Sequence, residues 1–489
     1  MSIITKKPSI SSWILFGFGL IALFVITILF GQFFAKENAY RFLFLLPLSF
    51  LVFSFIFKKV YSLFFDNLGV TIILSLYFVR MVISPLFMFL GNYNVSITYN
   101  VSQNTTKSIL LICYEFFCVI GLFYILTKKH VNRGKVKADN FIVGDKSGES
   151  LSYMKLVLLI LMAICICLII TPELIKIYRP ITAGFTDKNF TSQEDSYIIG
   201  KYSVDFISKL SLVTGNYLMR AVLLILPATF IIATVQMKIK FYKVISLLFC
   251  TIPLFFVPGA IARSLIYVVI LFILRMYLIN NKPDYKIFIW VFAVCAIFVL
   301  LWWGLRSVIS GSSAGLFEGL SSRISAYFSG VNIVSGAFNL PEEFNFKLRY
   351  FLYDFTQTMP YGNTIFNIQH EPIQSFFNKH NLSIGQIPTT IGMGYYYFGA
   401  ILSPVYSIGF AYVAFICGYN FNNSSNPFQY IRLLKSVIDF SMGIIMYNIE
   451  ITMTSFYTLL LPLYIMERIC FKKENLYDKN NSLLLVWKK

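Results

Sequence analysis

The apolar residues of this chain form blocks of about twenty that alternate with shorter polar segments. A helix needs about twenty consecutive apolar residues to cross a membrane, and the blocks recur at that length from end to end. Segments of strictly alternating hydrophobicity, which mark a transmembrane β-barrel, do not occur. The pattern therefore predicts an all-α polytopic membrane protein, with a single integral membrane domain over residues 1–489. It places about twelve transmembrane helices near residues 12–34, 40–57, 69–91, 108–127, 154–171, 206–235, 244–258, 264–281, 287–306, 400–418, 436–450 and 454–467.

The basic residues of the polar segments predict the orientation of these spans. With about twelve crossings both termini lie on one side, and Lys58, Lys59, Lys128 and Lys129 fall on that same side. The positive-inside rule identifies this side, with both termini, as the cytoplasm. The first span is too long for the apolar region of a cleaved signal peptide, so we expect it to be a retained anchor.

The opposite side of the membrane is predicted to carry two notable loops. A large extracytoplasmic loop covers residues 307–385, and a second outer loop covers residues 172–203. The large loop is rich in Phe, Tyr and Leu, which is not typical of disorder. Between Phe317 and Phe338 apolar residues recur every three or four positions, which predicts an amphipathic helix. We expect this helix to rest on the outer membrane boundary or to cap the helix bundle.

Composition and charge exclude several classes of protein. The chain is 57% hydrophobic and 18% aromatic, which is more apolar surface than a soluble fold could bury. The net charge of +19 comes mostly from short loops on one side, so no nucleic-acid partner is predicted. Three histidines are too few for a metal cluster, and no Walker A, H-E-x-x-H or dinucleotide motif occurs. We therefore expect neither a metal nor a cofactor.

A single charge, Arg263, interrupts the apolar stretch FFVPGAIARSLIYVVILF at residues 255–272. An arginine at the centre of a helix in lipid costs about 3 kcal/mol. The turn-forming residues Val257, Pro258 and Gly259 instead predict a helical hairpin that holds Arg263 at its outer tip.

Arg306 ends the following span, after two tryptophans typical of the membrane interface, and so lies at the same predicted depth as Arg263. Two arginines at one depth are suited to bind a phosphate group. Snorkelling of both side chains to lipid headgroups is the alternative.

Two further arginines, Arg80 and Arg220, lie inside apolar spans. A charge within a membrane is a candidate functional residue, and its alternative role is a structural ion pair. The candidate partners are Glu115, Asp205 and Glu450.

The stretch GQIPTTIGMGYYYFGAILSPV begins at Gly385 and combines glycines with three consecutive tyrosines. Irregular backbone at membrane depth is tolerated only where it lines a cavity or is buried in protein. Tyr395, Tyr396 and Tyr397 offer rings on which sugars stack and hydroxyls that bond to them, with plain packing as the alternative.

These segments together resemble the oligosaccharide repeat-unit polymerases of bacterial surface polysaccharides, the Wzy-type O-antigen and capsule polymerase family. The resemblance rests on the number of spans, the late large outer loop, the hairpin GAIARSLIYVVI and the stretch IPTTIGMGYYYFGAILSPV. Met393 stands where the family has an acidic residue.

The resemblance implies a metal-independent glycosyltransferase of the bacterial plasma membrane. Such an enzyme transfers oligosaccharide repeat units from undecaprenyl diphosphate to a growing O-antigen, capsule or exopolysaccharide on the outer side. Its implied partners are the lipid-linked donor and acceptor, membrane lipids, a chain-length regulator and a flippase.

The same resemblance implies roles for particular residues. Arginines at the outer headgroup depth would stabilise the charge that develops on the leaving lipid diphosphate, as electrostatic catalysis without a metal. The candidate arginines are Arg263 and Arg306, together with Arg323 and Arg349 of the large loop. Tyr395, Tyr396 and Tyr397 would bind the glycan.

The acceptor hydroxyl must also lose a proton, which requires a base. The candidates in the large loop are His380, His370, Asp354 and Glu371. The histidines are slightly favoured, because their ordinary pKa lies near neutrality.

Two other functions remain open at this point. A lipid-linked glycan flippase or transporter would suit the number of spans, although a large outer loop is not typical of one and the two halves show no repeat. An O-antigen ligase, which moves finished polymer to another acceptor, would share the arginines and the loop histidine.

Overall fold

The computed structural model describes residues 10–34, 40–93, 104–130, 147–172, 178–179, 206–237, 240–255, 257–258, 261–280, 316–328, 330–340, 347–359, 362–366, 373–381, 386–421, 424 and 427–471. These residues are almost entirely helical, and the described part of the chain contains one antiparallel pair of two-residue strands.

The first half of the described chain contains nine α-helices and the two strands. They are α1 (Ile10–Phe30), α2 (Leu45–Ile56), α3 (Leu68–Phe78), α4 (Ser84–Leu90), α5 (Thr105–His130), α6 (Ser147–Ile170), β1 (Tyr178–Arg179), α7 (Phe206–Gln236), α8 (Tyr242–Phe255), β2 (Val257–Pro258) and α9 (Ile261–Asn280). Short 3-10 helices cover Gly31–Phe34 and Lys58–Leu63, and a π-helical turn at Val79–Ile83 joins α3 to α4.

The second half begins in the large predicted loop. Its helices are α10 (Leu316–Tyr327), α11 (Val331–Gly336), α12 (Lys347–Thr356), α13 (Gly362–Ile365), α14 (Ile373–His380), α15 (Thr390–Leu402), α16 (Val405–Phe421), α17 (Pro427–Ile445), α18 (Ile449–Ser455) and α19 (Leu461–Phe471). A 3-10 helix covers Ala337–Asn339, and a second π-helical turn, Phe456–Leu460, joins α18 to α19.

Four of the described helical segments are long and apolar enough to cross a membrane: Trp13–Phe30, Leu68–Leu90, Thr105–Lys129 and Leu210–Val235. The pair α15 and α16 makes a fifth candidate, bent by 105° at the break between its two halves. These helices support the predicted class of helical membrane protein. The twelve spans and the side of each loop remain predictions, and the span near 287–306 lies outside the described residues.

Contacts divide the chain into two compact units. The first comprises residues 1–136, 297–421 and 436–454, and the second comprises residues 137–296, 422–435 and 455–489. The first unit therefore contains the large loop together with α1 to α5, and the second contains the predicted arginine hairpin.

A close crossing of α3 and α16 forms part of the core of the first unit. Asn67 begins α3 by accepting hydrogen bonds from the backbone amides of Gly69 and Val70. Its side-chain amide also donates to the Phe415 carbonyl of α16, at 3.0 Å. A Cβ atom on Gly69 would overlap the Ala414 carbonyl, so glycine permits this approach of the two backbones.

The outer-loop helix differs from the prediction. One helix was expected between Phe317 and Phe338, but α10 ends at Tyr327 and α11 begins at Val331. The chain turns at Gly330, whose amide donates to the Ser325 carbonyl and where a Cβ atom would overlap the Ser325 side chain. The polar face of α10 is buried, with Ser321 and Ser325 each 1% exposed, because Ser321 packs closely on Gly91 at the end of α4 and Ser325 packs on Gly330.

The predicted hairpin around Arg263 has the expected break. Helices α8 and α9 are separated by β2, and Arg263 lies in the first turn of α9. The predicted second outer loop contains β1, which pairs with β2 in the register Tyr178 to Pro258 and Arg179 to Val257.

The turn between the last two predicted spans also lies at a different position from the one predicted. A span was expected over residues 436–450, but α17 ends at Ile445 and the next helix begins at Ile449. The side chain of Asn448 accepts from the Ile451 amide at 2.8 Å and so caps the start of α18. Glu450 therefore lies in the first turn of α18 rather than at the end of a span.

We predict that Gly69→Ala destabilises the protein, because the added methyl group forces α3 and α16 apart. Overpacking of this kind costs about 1–3 kcal/mol. Gly121→Ala is the matched control, since a Cβ atom on Gly121 of α5 meets no atom within 4 Å. Thermal unfolding in detergent should show a lower Tm for Gly69→Ala alone, and equal Tm values for the two variants would contradict the close crossing.

Candidate functional site

Asp354 of the large loop is buried, at 4% exposure, although it lies on a short surface helix. Helix α12 turns Asp354 inward, while Leu352 remains 53% exposed. The phenol of Tyr397 in α15 donates a hydrogen bond to Asp354 Oδ2. Gln357 Nε2 donates to the other carboxylate oxygen at 3.2 Å. The structure thus joins the large loop and the tyrosine stretch, two segments that the sequence analysis named as candidates for the site.

Helix α15 holds Tyr397 in place through its two ends. Thr389 caps its start by accepting from the Gly392 amide at 2.9 Å. Thr390 Oγ1 donates to the Gly443 carbonyl of α17 at 2.5 Å. At the other end Gly399 adopts a φ of 77°, which favours glycine, and permits the bend toward α16.

Aromatic rings surround the Asp354 carboxylate. The Phe351 ring lies 6.4 Å from the Tyr397 ring and 5.5 Å from the Tyr406 ring of α16, measured between centroids. The Tyr406 ring also lies 6.4 Å from the ring of Tyr397, the hydrogen-bond partner of Asp354. Its hydroxyl is buried and has no hydrogen-bond partner among the described residues.

A second carboxylate, that of Glu450 in the first turn of α18, adds its negative charge to the surroundings of Asp354. Its Oε2 atom is buried and bonds to no donor in the described part of the chain. Burial and, after it, the charge of Glu450 raise the pKa of Asp354 well above its ordinary value. We call Asp354, Glu450, Tyr397 and Tyr406 the acidic cluster; all four lie in the first unit.

The acidic cluster can act as a proton acceptor. A general base works best when its pKa lies near the working pH, and burial moves an aspartate in that direction. The Tyr397 phenol orients the carboxylate through its hydrogen bond, and the Tyr406 hydroxyl could bond to a hydroxyl group of a ligand.

The other candidate bases are not in the acidic cluster. His380 is exposed at the end of α14, and its Nδ1 bonds to the Phe376 carbonyl of its own helix at 2.9 Å. None of its described contacts is with Asp354. His370 and Glu371 lie outside the described residues.

The three consecutive tyrosines have three different neighbours. Tyr395 packs on Phe338, with ring centroids 4.4 Å apart, and is partly exposed. Tyr396 is buried beside Phe376, and Tyr397 is buried against Asp354. Their glycan-binding role remains a prediction, for which Tyr395 presents the most accessible ring of the three.

The structure describes three of the four candidate arginines, and only one of them with its side chain. Arg323 is half-buried in α10, and Arg263 and Arg349 are described by backbone alone, in α9 and α12. Arg306 lies outside the described residues. Their binding of a diphosphate remains a prediction.

Arg80, inside an apolar span, forms a structural ion pair, which was the alternative to a functional role in the sequence analysis. Arg80 Nη1 lies 2.6 Å from Glu115 Oε2, with both side chains fully buried. Ser407 of α16 donates to the other oxygen of Glu115. For Arg220, the Nε atom is buried without a hydrogen-bond partner among the described residues, and Asp205 lies outside them.

Sequence reasoning missed two members of the acidic cluster, Glu450 and Tyr406. Glu450 was considered only as a partner for an arginine. The available signal was its position as a lone carboxylate at the edge of an apolar block, which marks a candidate functional residue.

Comparison with known proteins gave no match. No protein-family model, no curated protein and no solved structure matches this chain. The resemblance to the Wzy-type polymerases therefore rests on the sequence features alone.

We predict that Glu115→Gln strongly destabilises the protein, since it leaves Arg80 buried without its counter-charge. Removing one partner of a buried pair costs about 3–5 kcal/mol. Glu467→Gln is the control, because the pair of Arg432 and Glu467 is also 2.6 Å long but is partly exposed. That change should cost about 1 kcal/mol or less. Thermal unfolding in detergent measures both, and a Glu115→Gln variant as stable as Glu467→Gln would refute the structural role of the pair.

Proposed function

We propose that this protein is a polymerase of bacterial surface polysaccharide. It transfers oligosaccharide repeat units linked to undecaprenyl diphosphate onto a growing O-antigen, capsule or exopolysaccharide, on the outer side of the plasma membrane. The observation that carries the proposal is the buried Asp354 carboxylate, bonded to Tyr397 and raised in pKa, within the large predicted outer loop.

The proposed reaction uses Asp354 as the general base. The Asp354 carboxylate takes the proton of an acceptor sugar hydroxyl, and the hydroxyl oxygen forms a bond to the anomeric carbon of the donor. The bond between that carbon and the diphosphate oxygen breaks, and the lipid diphosphate leaves with the electron pair. Base catalysis of this kind contributes about 10²–10⁴-fold to the rate.

The leaving diphosphate requires positive charge, which the arginines predicted from the sequence would supply. Arg323 lies in the same unit as Asp354, and Arg349 lies on the same helix. Arg263 lies in the first turn of α9, in the second unit, and its binding of the diphosphate rests on the sequence resemblance alone. No metal is required for a charge held in this way.

One observation favours a second candidate function, a lipid-linked glycan flippase. Helices α15 and α16 are together long and apolar enough to span a membrane, but the pair is bent by 105° at the break between them. Broken helices that line a central site are typical of transporters. The two functions differ in what accumulates when the protein is missing.

A deletion strain distinguishes these functions. Loss of a polymerase leaves surface glycan capped with one repeat unit and removes the long polymer. Loss of a flippase instead leaves lipid-linked repeat units on the cytoplasmic side and no glycan outside. Normal chain lengths in the deletion strain would contradict the polymerase proposal.

Asp354→Asn should reproduce the polymer defect of the deletion strain at an unchanged protein level, because asparagine cannot accept the hydroxyl proton. We expect a loss of chain elongation of about 10²-fold or more. Asp66→Asn, at an exposed position outside the cluster, is the matched control and should retain long polymer. Full-length polymer in the Asp354→Asn strain would exclude Asp354 as the base.

A further inference from the structure

Two aromatic rings of the first unit form a platform beside the large predicted outer loop. The Phe338 ring, in the 3-10 helix Ala337–Asn339, lies 4.4 Å from the Tyr395 ring of α15, measured between centroids, at an interplanar angle of 47°. Both side chains are half-buried and so keep part of their surface exposed. Exposed rings of this kind offer a surface on which the apolar face of a sugar stacks.

The start of α5 adds a positive charge at the edge of this platform. Lys107 is exposed, and its Nζ lies 6.0 Å from the centroid of the Phe338 ring. The ion pairs in the described part of the chain do not involve Lys107, and the neighbouring carboxylates of the sequence, Glu342 and Glu343, lie outside it. The described platform therefore carries a cation without a counter-charge, which is complementary to an anionic ligand.

A chain of asparagine amides holds the start of α5 against the large loop. Asn104 Nδ2 donates to Asn339 Oδ1 at 3.3 Å, and Asn339 Nδ2 donates to Asn381 Oδ1 at 3.0 Å. The buried Asn381 in turn donates to the Gly336 carbonyl at 3.1 Å.

Asn104, at the head of this chain, also lies close to the cation. It is three positions before Lys107, a spacing that places both on one face at the start of α5. An asparagine amide can make up to four hydrogen bonds, and the half-buried Asn104 side chain makes one with the described residues. The remaining capacity suits the hydroxyls of a sugar.

The platform and Asp354 lie on different sides of α15. Tyr395 and Tyr397 are two positions apart, and residues at that spacing do not share a face of a helix. Tyr395 packs on Phe338, whereas Tyr397 bonds to Asp354. Because a helix with its side chains is about 10–12 Å across, a sugar on the platform is not the sugar whose hydroxyl reaches Asp354.

We propose that Phe338, Tyr395 and Lys107 form a glycan subsite that binds a uronic acid residue of the lipid-linked repeat unit. The sugar ring stacks on the two aromatic rings, its carboxylate pairs with the Lys107 ammonium, and a hydroxyl bonds to the Asn104 amide. The inference rests on the proposed polymerase function for the origin of the glycan. Of these residues only Tyr395 was predicted from the sequence to bind glycan; the others add the negative charge of the ligand.

Binding of defined oligosaccharides to the purified full-length protein, followed by saturation-transfer NMR titration, tests the subsite. The acidic probe is a hyaluronan tetrasaccharide, which contains glucuronic acid, and the neutral probe is chitotetraose. We expect Lys107→Gln to weaken binding of the acidic probe about tenfold or more and to leave the neutral probe unchanged. Phe338→Leu, which removes the ring, should weaken both probes severalfold.

Lys128→Gln is the matched control for the charge. Lys128 is an exposed residue at the other end of α5 and also lies over a ring, that of Tyr124, at 4.5 Å. Non-specific attraction of an acidic glycan to a chain of net charge +19 would be weakened equally by the two lysine changes. That result would overturn the inference, as would equal affinity of the wild type and Lys107→Gln for the acidic probe. Equal Tm values show that the variants are folded.

Elongation kinetics separate binding at the subsite from the chemical step. Lys107→Gln should raise the KM for the lipid-linked repeat unit and leave kcat unchanged, because the platform lies away from the reacting hydroxyl. A lower kcat at an unchanged KM would contradict a binding role for Lys107.

The composition of the glycan distinguishes this inference from the proposed function. The polymer that is lost from the deletion strain should contain a uronic acid, and a wholly neutral polymer would overturn the subsite while leaving the polymerase function standing. Long polymer in the deletion strain would instead overturn the polymerase function. Binding of the hyaluronan probe that depends on Lys107 would still stand in that case.

Discussion

The hydrogen bond from Tyr397 to the buried Asp354 carboxylate is the interaction on which the candidate site depends. A buried carboxylate is stable only when donors replace the water that it has lost. Tyr397 can serve as that donor because Thr390 fixes the start of α15 on α17 and Gly399 bends its end. The bond therefore ties a helix of the large loop to the bent helix pair of the same unit.

The same requirement explains another pair of buried charges in the first unit. Arg80 and Glu115 neutralise each other, and Ser407 of α16 completes the bonding of the carboxylate. Helix α16 thus contacts Glu115 through Ser407 and lies beside Tyr397, the partner of Asp354, through Tyr406. The two sites differ in that Glu115 has a counter-charge, whereas the described residues show none for Asp354, and a buried carboxylate of raised pKa is suited to proton transfer.

The class of protein could be predicted from the sequence, because the length and period of apolar blocks are local properties. The break of the hairpin before Arg263 could be predicted for the same reason, from Pro258 and its neighbours. The break between α10 and α11 was missed, since the apolar spacing continues through Gly330 even though the chain turns there. The position of α18 was missed because the cap by Asn448 leaves no mark in hydropathy.

The candidate site could be predicted only in part, and the reason is its long-range origin. Asp354 and Tyr397 were both named as candidates, but their pairing joins residues 43 positions apart. The preference for the histidines was based on ordinary pKa values. Burial changes that ranking, since it raises the pKa of Asp354 while His380 lies exposed at the end of α14. Glu450 was missed because its electrostatic effect on Asp354 depends on the tertiary fold and not on local sequence.

The most direct measurement of the central claim is elongation by the purified protein in liposomes supplied with undecaprenyl diphosphate-linked repeat units. We expect a ladder of products that differ by one repeat unit, formed without added metal or flippase. Movement of the lipid-linked repeat units across the bilayer with no lengthening of the glycan would contradict the polymerase claim.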